Sequence, residues 1–221
     1  MLRYLAKRAI IALVGFAIVT NPTAVEKIKT TLTDLRYSIQ SADISPVKDV
    51  EYRWSSCEST PIELNIQDLP EKTIGEVANA LHSIYQQTGK RFYISKLTDE
   101  IPNQNYYLKK NKNGYPPVLI AFVERSQSDI LNDYDSVAGA VANPAGKHIV
   151  TGAIAVDKYL YSSLSSENKP GRTKQALLVH ELGHLLGLNH TEVGIMSPNL
   201  AKITSLNYSK KEIQQIKPED C

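Results

Sequence analysis

The segment His180–His190, with the sequence HELGHLLGLNH, constrains the fold of this 221-residue chain more than any other segment. His180 and His184 are four residues apart, so a helix places both imidazoles on one face, one turn apart. His190 has the wrong helical phase to join them from the same face. Gly187 removes this obstacle, because a glycine tolerates positive φ and lets the chain turn sharply after the helix. The segment therefore predicts a helix, a tight turn and three converging histidines.

Three converging histidines are suited to hold one zinc ion. An imidazole nitrogen binds Zn²⁺ at about 2.1 Å, and three neutral nitrogens leave the fourth position open to water, as in catalytic zinc sites. Glu181 lies about 100° around the helix from His180 and can reach that metal-bound water, whose pKa zinc lowers toward about 7. We therefore predict that His180, His184 and His190 bind the metal and that Glu181 activates the water for hydrolysis of a peptide bond. The alternative interpretation is a pair of helical histidines at a surface or in a core.

The complete pattern, HExxHxxGxxH followed by a methionine, resembles that of the metzincin metallopeptidases. Met196, in GIMSP, lies six residues after His190. In this family the methionine lies in a tight turn under the zinc-binding imidazoles, so the resemblance implies a supporting role for Met196 rather than a ligand role. An ordinary core methionine is the alternative. Pro198 is typical of the matrixin branch, including small bacterial members, whereas branches with a fifth, tyrosine ligand carry Tyr there. The resemblance implies a zinc endopeptidase of matrixin-like type.

Weaker likenesses extend the resemblance over about residues 52–221. They imply an α+β (mixed α/β) domain: a twisted, mostly parallel sheet with an antiparallel edge strand, an active-site helix and a small C-terminal subdomain. The stretch TGAIAVD resembles the antiparallel edge strand, which would bind an extended peptide through backbone hydrogen bonds. The residues expected in this substrate strand are Gly152, Ala153, Ile154 and Ala155.

Hydrophobic patterns independently predict a mixed α/β domain. Strands are expected at 62–66, 91–95, 117–123 and 151–157, where apolar residues alternate or form continuous runs. Helices are expected at 73–88, ending at Gly89, at 172–186, and from Ser209 with a capping box to Glu212. The Gly-, Ala- and Asn-rich segment that ends at 143–147 is expected to be a surface loop.

The N-terminus has the pattern of an export signal. Arg3, Lys7 and Arg8 precede an apolar run at residues 9–19. These eleven residues are fewer than the roughly 20 that span a bilayer as a helix. A cleaved signal over 1–20 and a short membrane anchor over 4–20 both remain open. Either one predicts an extracytoplasmic protein, secreted or membrane-anchored, and makes the membrane a partner only through this segment.

Residues 21–50 are expected to connect this signal or anchor to the catalytic domain at 51–221. Their apolar residues recur with 3-4-3-4 spacing from Val25 to Ile39, which indicates an amphipathic helix. Three roles remain open: a helix lying on the domain or membrane, an oligomerising stalk, and a pro-segment. No PRCGxPD motif is present in the sequence, so the latency mechanism of matrixins is not supported.

The two cysteines and the charge add further expectations. Export to an oxidising compartment predicts a disulfide between Cys57 and Cys221, with two free thiols as the alternative.

The net charge of the chain is +2 and its Lys and Arg residues show no clustered excess, so no nucleic-acid partner is expected. We expect a monomer that acts on peptide or protein substrates with one catalytic Zn²⁺. The family also has structural Ca²⁺ sites, which we assign to no residue here. His148 is interpreted as a surface histidine.

Two other functions are alternatives. One bacterial rRNA-maturation family also uses H-x3-H-x5-H on a helix and turn, but it carries Gly rather than Glu after the first histidine. Glu181 and the export pattern argue against an RNA-processing hydrolase. A catalytically silent zinc-binding module is the other alternative, although ligands and base are all present.

Overall fold

The computed structural model describes residues 53–54, 58–106, 115–131, 138–145 and 148–216. The predicted signal or anchor and the connector of residues 21–50 lie outside the described residues. So do Cys57 and Cys221, and the disulfide between them stays a prediction. Among the described residues, none of the helices combines the length and the apolarity that crossing a membrane requires.

One mixed sheet organises the described part of the chain. Its strands follow the order β3–β2–β4–β6 with all neighbours parallel, and the eight-residue strand β5 pairs antiparallel with β6. The short β1 pairs in parallel with the start of β6. The bounds are β1 Arg53–Trp54, β2 Thr60–Asn65, β3 Phe92–Leu97, β4 Val118–Val123, β5 Ala138–Ala145 and β6 His148–Asp157. The predicted mostly parallel sheet with one antiparallel edge strand is confirmed.

Four α-helices accompany the sheet in the described residues. Their bounds are α1 Lys72–Thr88, α2 Lys158–Ser162, α3 Lys174–Leu185 and α4 Lys210–Ile216, with 3-10 turns at Arg125–Gln127, Asp129–Leu131 and Leu200–Lys202. α1 ends as predicted at Gly89, which has φ 78° and donates its N–H to Tyr85 O at 2.9 Å. The predicted capping box of α4 is present, since Ser209 N–H donates to Glu212 Oε2 at 2.6 Å.

The main core lies between the sheet and the two long helices. All six residues of β4 are buried, which confirms the prediction from its continuous apolar run. Val118, Ile120 and Phe122 share one core cluster with apolar side chains of α1 and α3. Ala121 and Val123 alternate to the opposite face, where they pack near Leu131. The sheet is therefore covered on both faces, and α1 and α3 pack against each other on one of them.

The prediction that residues 152–155 lie in the edge strand of the sheet is wrong. β6 has neighbours on both sides: Ala153–Asp157 face β4, and His148–Val156 face β5. Thr151–Asp157 are all buried, as expected for an interior strand. The residues misassigned to the edge are Gly152, Ala153, Ile154 and Ala155.

The edge strand is instead β5, part of the segment predicted to be a loop. Its sequence, AGAVANPA, contains few of the β-branched and aromatic residues that signal strands. Backbone pairing with β6 overrides this weak local preference. Among the described residues β5 pairs only with β6, and it packs against α3. An unpaired strand edge thus lies next to the helix that carries His180 and His184.

Candidate metal centre

The histidine helix α3 runs through the core and is fixed at its start. Thr173 caps it by accepting the N–H of Ala176 at 3.2 Å. Lys174 in the first turn opposes the helix dipole, but its ammonium lies 3.2 Å from a carboxylate oxygen of Glu76 on α1. The Tyr161 hydroxyl donates to the same carboxylate at 2.9 Å. These partly buried contacts tie the start of α3 to α1 and α2.

The end of α3 is the tight turn that the sequence predicts. Gly187 has φ 101°, a backbone conformation that residues other than glycine rarely adopt. Its N–H donates to His184 O, and the N–H of Leu188 donates to Gly183 O, each at 2.9 Å. This pair of bonds is a Schellman motif, which reverses the chain direction. The turn brings His190 back to the face of α3 that carries the first two histidines.

The three predicted ligand histidines converge. The Nε2 atoms are separated by 3.1 Å between His180 and His184, 3.0 Å between His184 and His190, and 3.3 Å between His180 and His190. His180 Nδ1 lies 2.8 Å from Ile195 O, and His184 Nδ1 lies 2.8 Å from Leu188 O. A carbonyl oxygen only accepts, so in both rings Nδ1 carries the proton and neutral Nε2 offers a lone pair.

This donor set fits one zinc ion. Neighbouring lone pairs at such distances repel one another unless a cation lies between them. Three nitrogens at tetrahedral positions 2.1 Å from zinc are about 3.4 Å apart, within a few tenths of an ångström of the separations in this cluster. Burial lowers the pKa of His180 to about 4 and that of His184 well below its usual value. Both side chains are therefore neutral near pH 7, the form that binds metal.

Glu181 supplies a carboxylate on the same helix. The side chain is 5 % exposed, and its Oε2 has no hydrogen-bond partner among the described residues. Burial raises the pKa of this carboxyl to about 8, and a cation held by the histidines would lower it again. A buried carboxylate oxygen without a partner is costly, so its presence beside the first histidine indicates a functional role.

Met196 lies in a tight turn against the histidine helix. Gly194 has φ 89° and accepts the N–H of Ser197 at 3.1 Å, which closes the turn. Ile195, which directly precedes Met196, provides the carbonyl that accepts the Nδ1–H of His180. Met196 is fully buried. The supporting role that the resemblance implies for Met196 stays a prediction. Pro198 follows at the half-buried end of the turn.

Two residues near the centre escaped the sequence interpretation. Gly183 leaves room for Met196, since a Cβ at this position would overlap Met196 Sδ and lie 3.2 Å from Tyr208 Cε1. Tyr208 donates its buried hydroxyl to Val179 O at 2.7 Å. No local signal identifies Tyr208. Gly183 lies at a variable position of HExxH, and only its small size gives a hint.

We expect Gly183→Ala to destabilise the protein, because the new methyl group displaces Met196. Overpacking of this kind costs about 1–3 kcal/mol, and we expect it to exceed the gain of about 1 kcal/mol that Ala has over Gly within a helix, because Met196 is fully buried and has little room to move. Gly75→Ala is the matched control, since a Cβ there meets nothing within 4 Å and Ala is favoured over Gly in a helix by about 1 kcal/mol. Urea unfolding of the two variants should give shifts of opposite sign. Equal stability of Gly183→Ala and the unmodified chain would contradict the close approach.

Three other titratable residues, His148, Asp157 and His82, do not belong to the histidine cluster. His148 is half-buried at the start of β6, and its Nδ1 has no partner among the described residues. Asp157 caps α2 and forms an ion pair with Arg125 at 3.2 Å, so its carboxylate is already engaged. His82 lines a cavity of about 430 Å³ between α1 and β3 that none of the three clustered histidines borders. This cavity is mostly apolar, and among the described residues its lining contains no group of metal-ligating side chains.

Comparison with known proteins agrees with this geometry. The sequence profile of the family described as Matrixin matches residues 82–218, a range that includes the histidine cluster, Glu181 and Met196. No sequence among the curated proteins matches this chain.

Two solved structures are similar at 14 % sequence identity. Archaemetzincin from Methanopyrus kandleri has a TM-score of 0.42, with 76 % of this chain and 95 % of that chain covered. Metalloproteinase-II from Bacteroides fragilis has a TM-score of 0.43, with 84 % of this chain covered, and this chain spans only 61 % of its length. Because the family profile covers more than half of the 221 residues, the chain belongs to the matrixin family of metzincin-like zinc peptidases.

Proposed function

We propose that this chain is a zinc-dependent endopeptidase in which His180, His184 and His190 bind the ion and Glu181 is the general base. One observation carries the proposal. Three Nε2 lone pairs converge within 3.0–3.3 Å on the helix that also carries a buried carboxylate oxygen with no partner among the described residues. The cluster attracts a cation, and the carboxylate offers an acceptor for the hydrogen of a water molecule beside it.

The protein's own contribution to hydrolysis centres on Glu181. When bound, zinc supplies a Lewis acid that makes a coordinated water more acidic and polarises the substrate carbonyl. Glu181 accepts a proton from the attacking water and then delivers it to the nitrogen of the leaving amine. Between these two transfers Glu181 holds the proton, and its burial stabilises this protonated form because a low-dielectric site disfavours the charged carboxylate. The hydrogen bonds from His180 and His184 to backbone carbonyls keep the ligand rings oriented throughout.

The substrate is proposed to bind along β5. This strand presents an edge with no partner among the described residues and packs against α3. An extended peptide can add to such an edge through main-chain hydrogen bonds, which are independent of side-chain identity. The predicted role of β-augmentation is therefore kept, but it moves from residues 152–155 to Ala138–Ala145.

N-methylation of the substrate backbone tests this mode of binding. Along a strand only alternate residues bond to a given neighbour. Methylating those amides should lower kcat/KM about tenfold or more, since one hydrogen bond is lost and the methyl group keeps the strands apart. Methylating the intervening amides should have little effect. A scan of singly methylated peptides that shows no alternation would contradict binding along β5.

The proposed activity itself is tested with the full chain and an unstructured protein substrate such as casein. We expect internal cleavage, detected by mass spectrometry of the fragments, that stops with a chelator and returns when zinc is added. Absence of cleavage by protein shown to contain zinc would support the silent-module alternative instead.

We also propose that the enzyme works outside the cytoplasm. The support is the sequence pattern of residues 1–20. N-terminal sequencing of the exported protein separates the two forms, because a cleaved signal leaves a new N-terminus after this segment, whereas an anchor retains Met1. Retention of the protein in the cytoplasm would contradict both.

A further inference from the structure

The last carbonyl groups of α3 need partners, because the final turn of a helix leaves them without intrahelical donors. The N–H groups of Gly187 and Leu188 serve two of them through the Schellman motif. The carbonyl of Leu185 has a different partner. Trp54 donates its indole N–H to Leu185 O at 3.2 Å, in a buried contact between residues 131 positions apart. A side chain of β1 thus supplies the hydrogen-bond donor for a carbonyl at the end of the histidine helix.

The turn that Trp54 contacts determines the position of two ligand rings. Leu185 directly follows His184, whose Nδ1 bonds to Leu188 O at 2.8 Å. His190 lies two residues beyond Leu188 on the returning chain. A shift of the turn would therefore move the Nε2 atoms of both histidines relative to His180, which is held separately by Ile195 O.

Trp54 is itself held in one orientation. The ring is 4 % exposed and meets Phe92 edge to face, with centroids 5.5 Å apart at 86°. The ammonium of Lys90 lies 4.6 Å from the centre of the indole ring and donates to Glu58 O at 2.8 Å. The backbone of Trp54 pairs with Ile149 of β6. These contacts fix the indole before any metal binds, so the donor is preorganised.

We propose that Trp54 is a positioning residue of the metal centre, whose indole N–H holds the turn after α3 so that His184 and His190 are in place for the ion. This inference rests on the zinc site of the proposed function and adds a residue that is not itself a ligand. Hydrogen-bond partners outside the ligand shell typically change metal affinity by 10–100-fold. We expect an effect in this range from loss of the Trp54 donor.

The test exploits the fact that Trp54 is the only tryptophan of the chain. Biosynthetic replacement of tryptophan by β-(3-benzothienyl)alanine exchanges the indole N–H for sulfur at this position alone and keeps the ring shape. The matched control is Tyr106→Phe, which removes a buried hydroxyl that donates to Pro117 O at 3.1 Å. Zinc affinity is measured on the full-length proteins by competition with a chromogenic chelator, and thermal unfolding is measured on the zinc-free forms.

The isostere should raise the dissociation constant for zinc about tenfold or more, whereas Tyr106→Phe leaves it unchanged. Both changes should lower the unfolding temperature, so only the zinc affinity separates positioning from plain stabilisation. Trp54→Phe is a second variant, available by ordinary mutagenesis, with the same expected direction.

Zinc binding by the unmodified chain tests the proposed function by itself, and its absence would overturn both proposals. If the unmodified chain binds zinc and either Trp54 replacement binds it equally tightly, the positioning role alone is overturned.

Discussion

Glu181→Gln is expected to retain the zinc ion and to lower kcat/KM for peptide hydrolysis by about 100- to 10,000-fold. Glutamine preserves the size of the side chain but cannot take a proton from water. The substitution also removes a buried carboxyl without a partner at Oε2, so we expect the folded state to be as stable or slightly more stable. Cleavage of a fluorogenic peptide, zinc analysis and urea unfolding measure the three quantities.

Glu212→Gln is the matched control for this experiment. Glu212 is also a buried glutamate, but it caps α4 through Ser209 and contacts none of the clustered histidines. Glutamine can keep that capping interaction, so activity should change little. Hydrolysis by Glu181→Gln at the rate of the unmodified chain, with zinc bound in both, would show that another group activates the water.

His184→Ala is expected to abolish both zinc binding and hydrolysis. His184 Nε2 is the nitrogen with the two shortest separations in the cluster, 3.0 and 3.1 Å, so its loss leaves two ligands that no longer surround the ion. A ligand that binds only the folded state stabilises that state by about 4 kcal/mol when it is present at 1,000 times its dissociation constant. The rise of the unfolding midpoint with added zinc should therefore disappear in this variant.

His82→Ala is the control for histidine removal. His82 lies on α1 and borders a cavity that none of the clustered histidines lines, so its replacement should leave zinc binding and the zinc-dependent rise in stability intact. Thermal unfolding of chelator-treated protein, with and without zinc, compares the variants directly. Zinc stabilisation that persists in His184→Ala would place the ion elsewhere.

The histidine helix and its turn are the part of the site that sequence predicts best. Helical spacing fixes the relation of His180 to His184, and Gly187 signals the turn through its tolerance of positive φ. Both signals are local, so no knowledge of the sheet is needed. The same holds for the Gly89 end of α1 and the capping box of α4.

The order of the strands in the sheet is the part of the fold that the sequence does not predict. The stretch TGAIAVD predicts a strand correctly, but its place in the sheet depends on whether another segment pairs outside it. Ala138–Ala145 does so with small residues that carry little strand signal. The edge strand, and with it the proposed substrate edge, therefore moves by one strand, although the type of sheet is as predicted.

Long-range contacts to α3 were equally hidden. Trp54 meets Leu185, and Tyr208 meets Val179, across large separations in the chain. Neither contact leaves a periodic pattern, since each needs one donor placed by the tertiary fold. Gly183 gives no clear sequence signal for the same reason, because its small size matters only when Met196 packs against it.

The most direct test of the central claim is an anomalous difference map at the zinc absorption edge for crystals of the zinc-loaded protein. We predict one strong peak per chain, bound by the Nε2 atoms of His180, His184 and His190, with Glu181 close to the open side. A map with no peak there, or with the peak bound by other side chains, would contradict the metal centre on which the proposed peptidase rests.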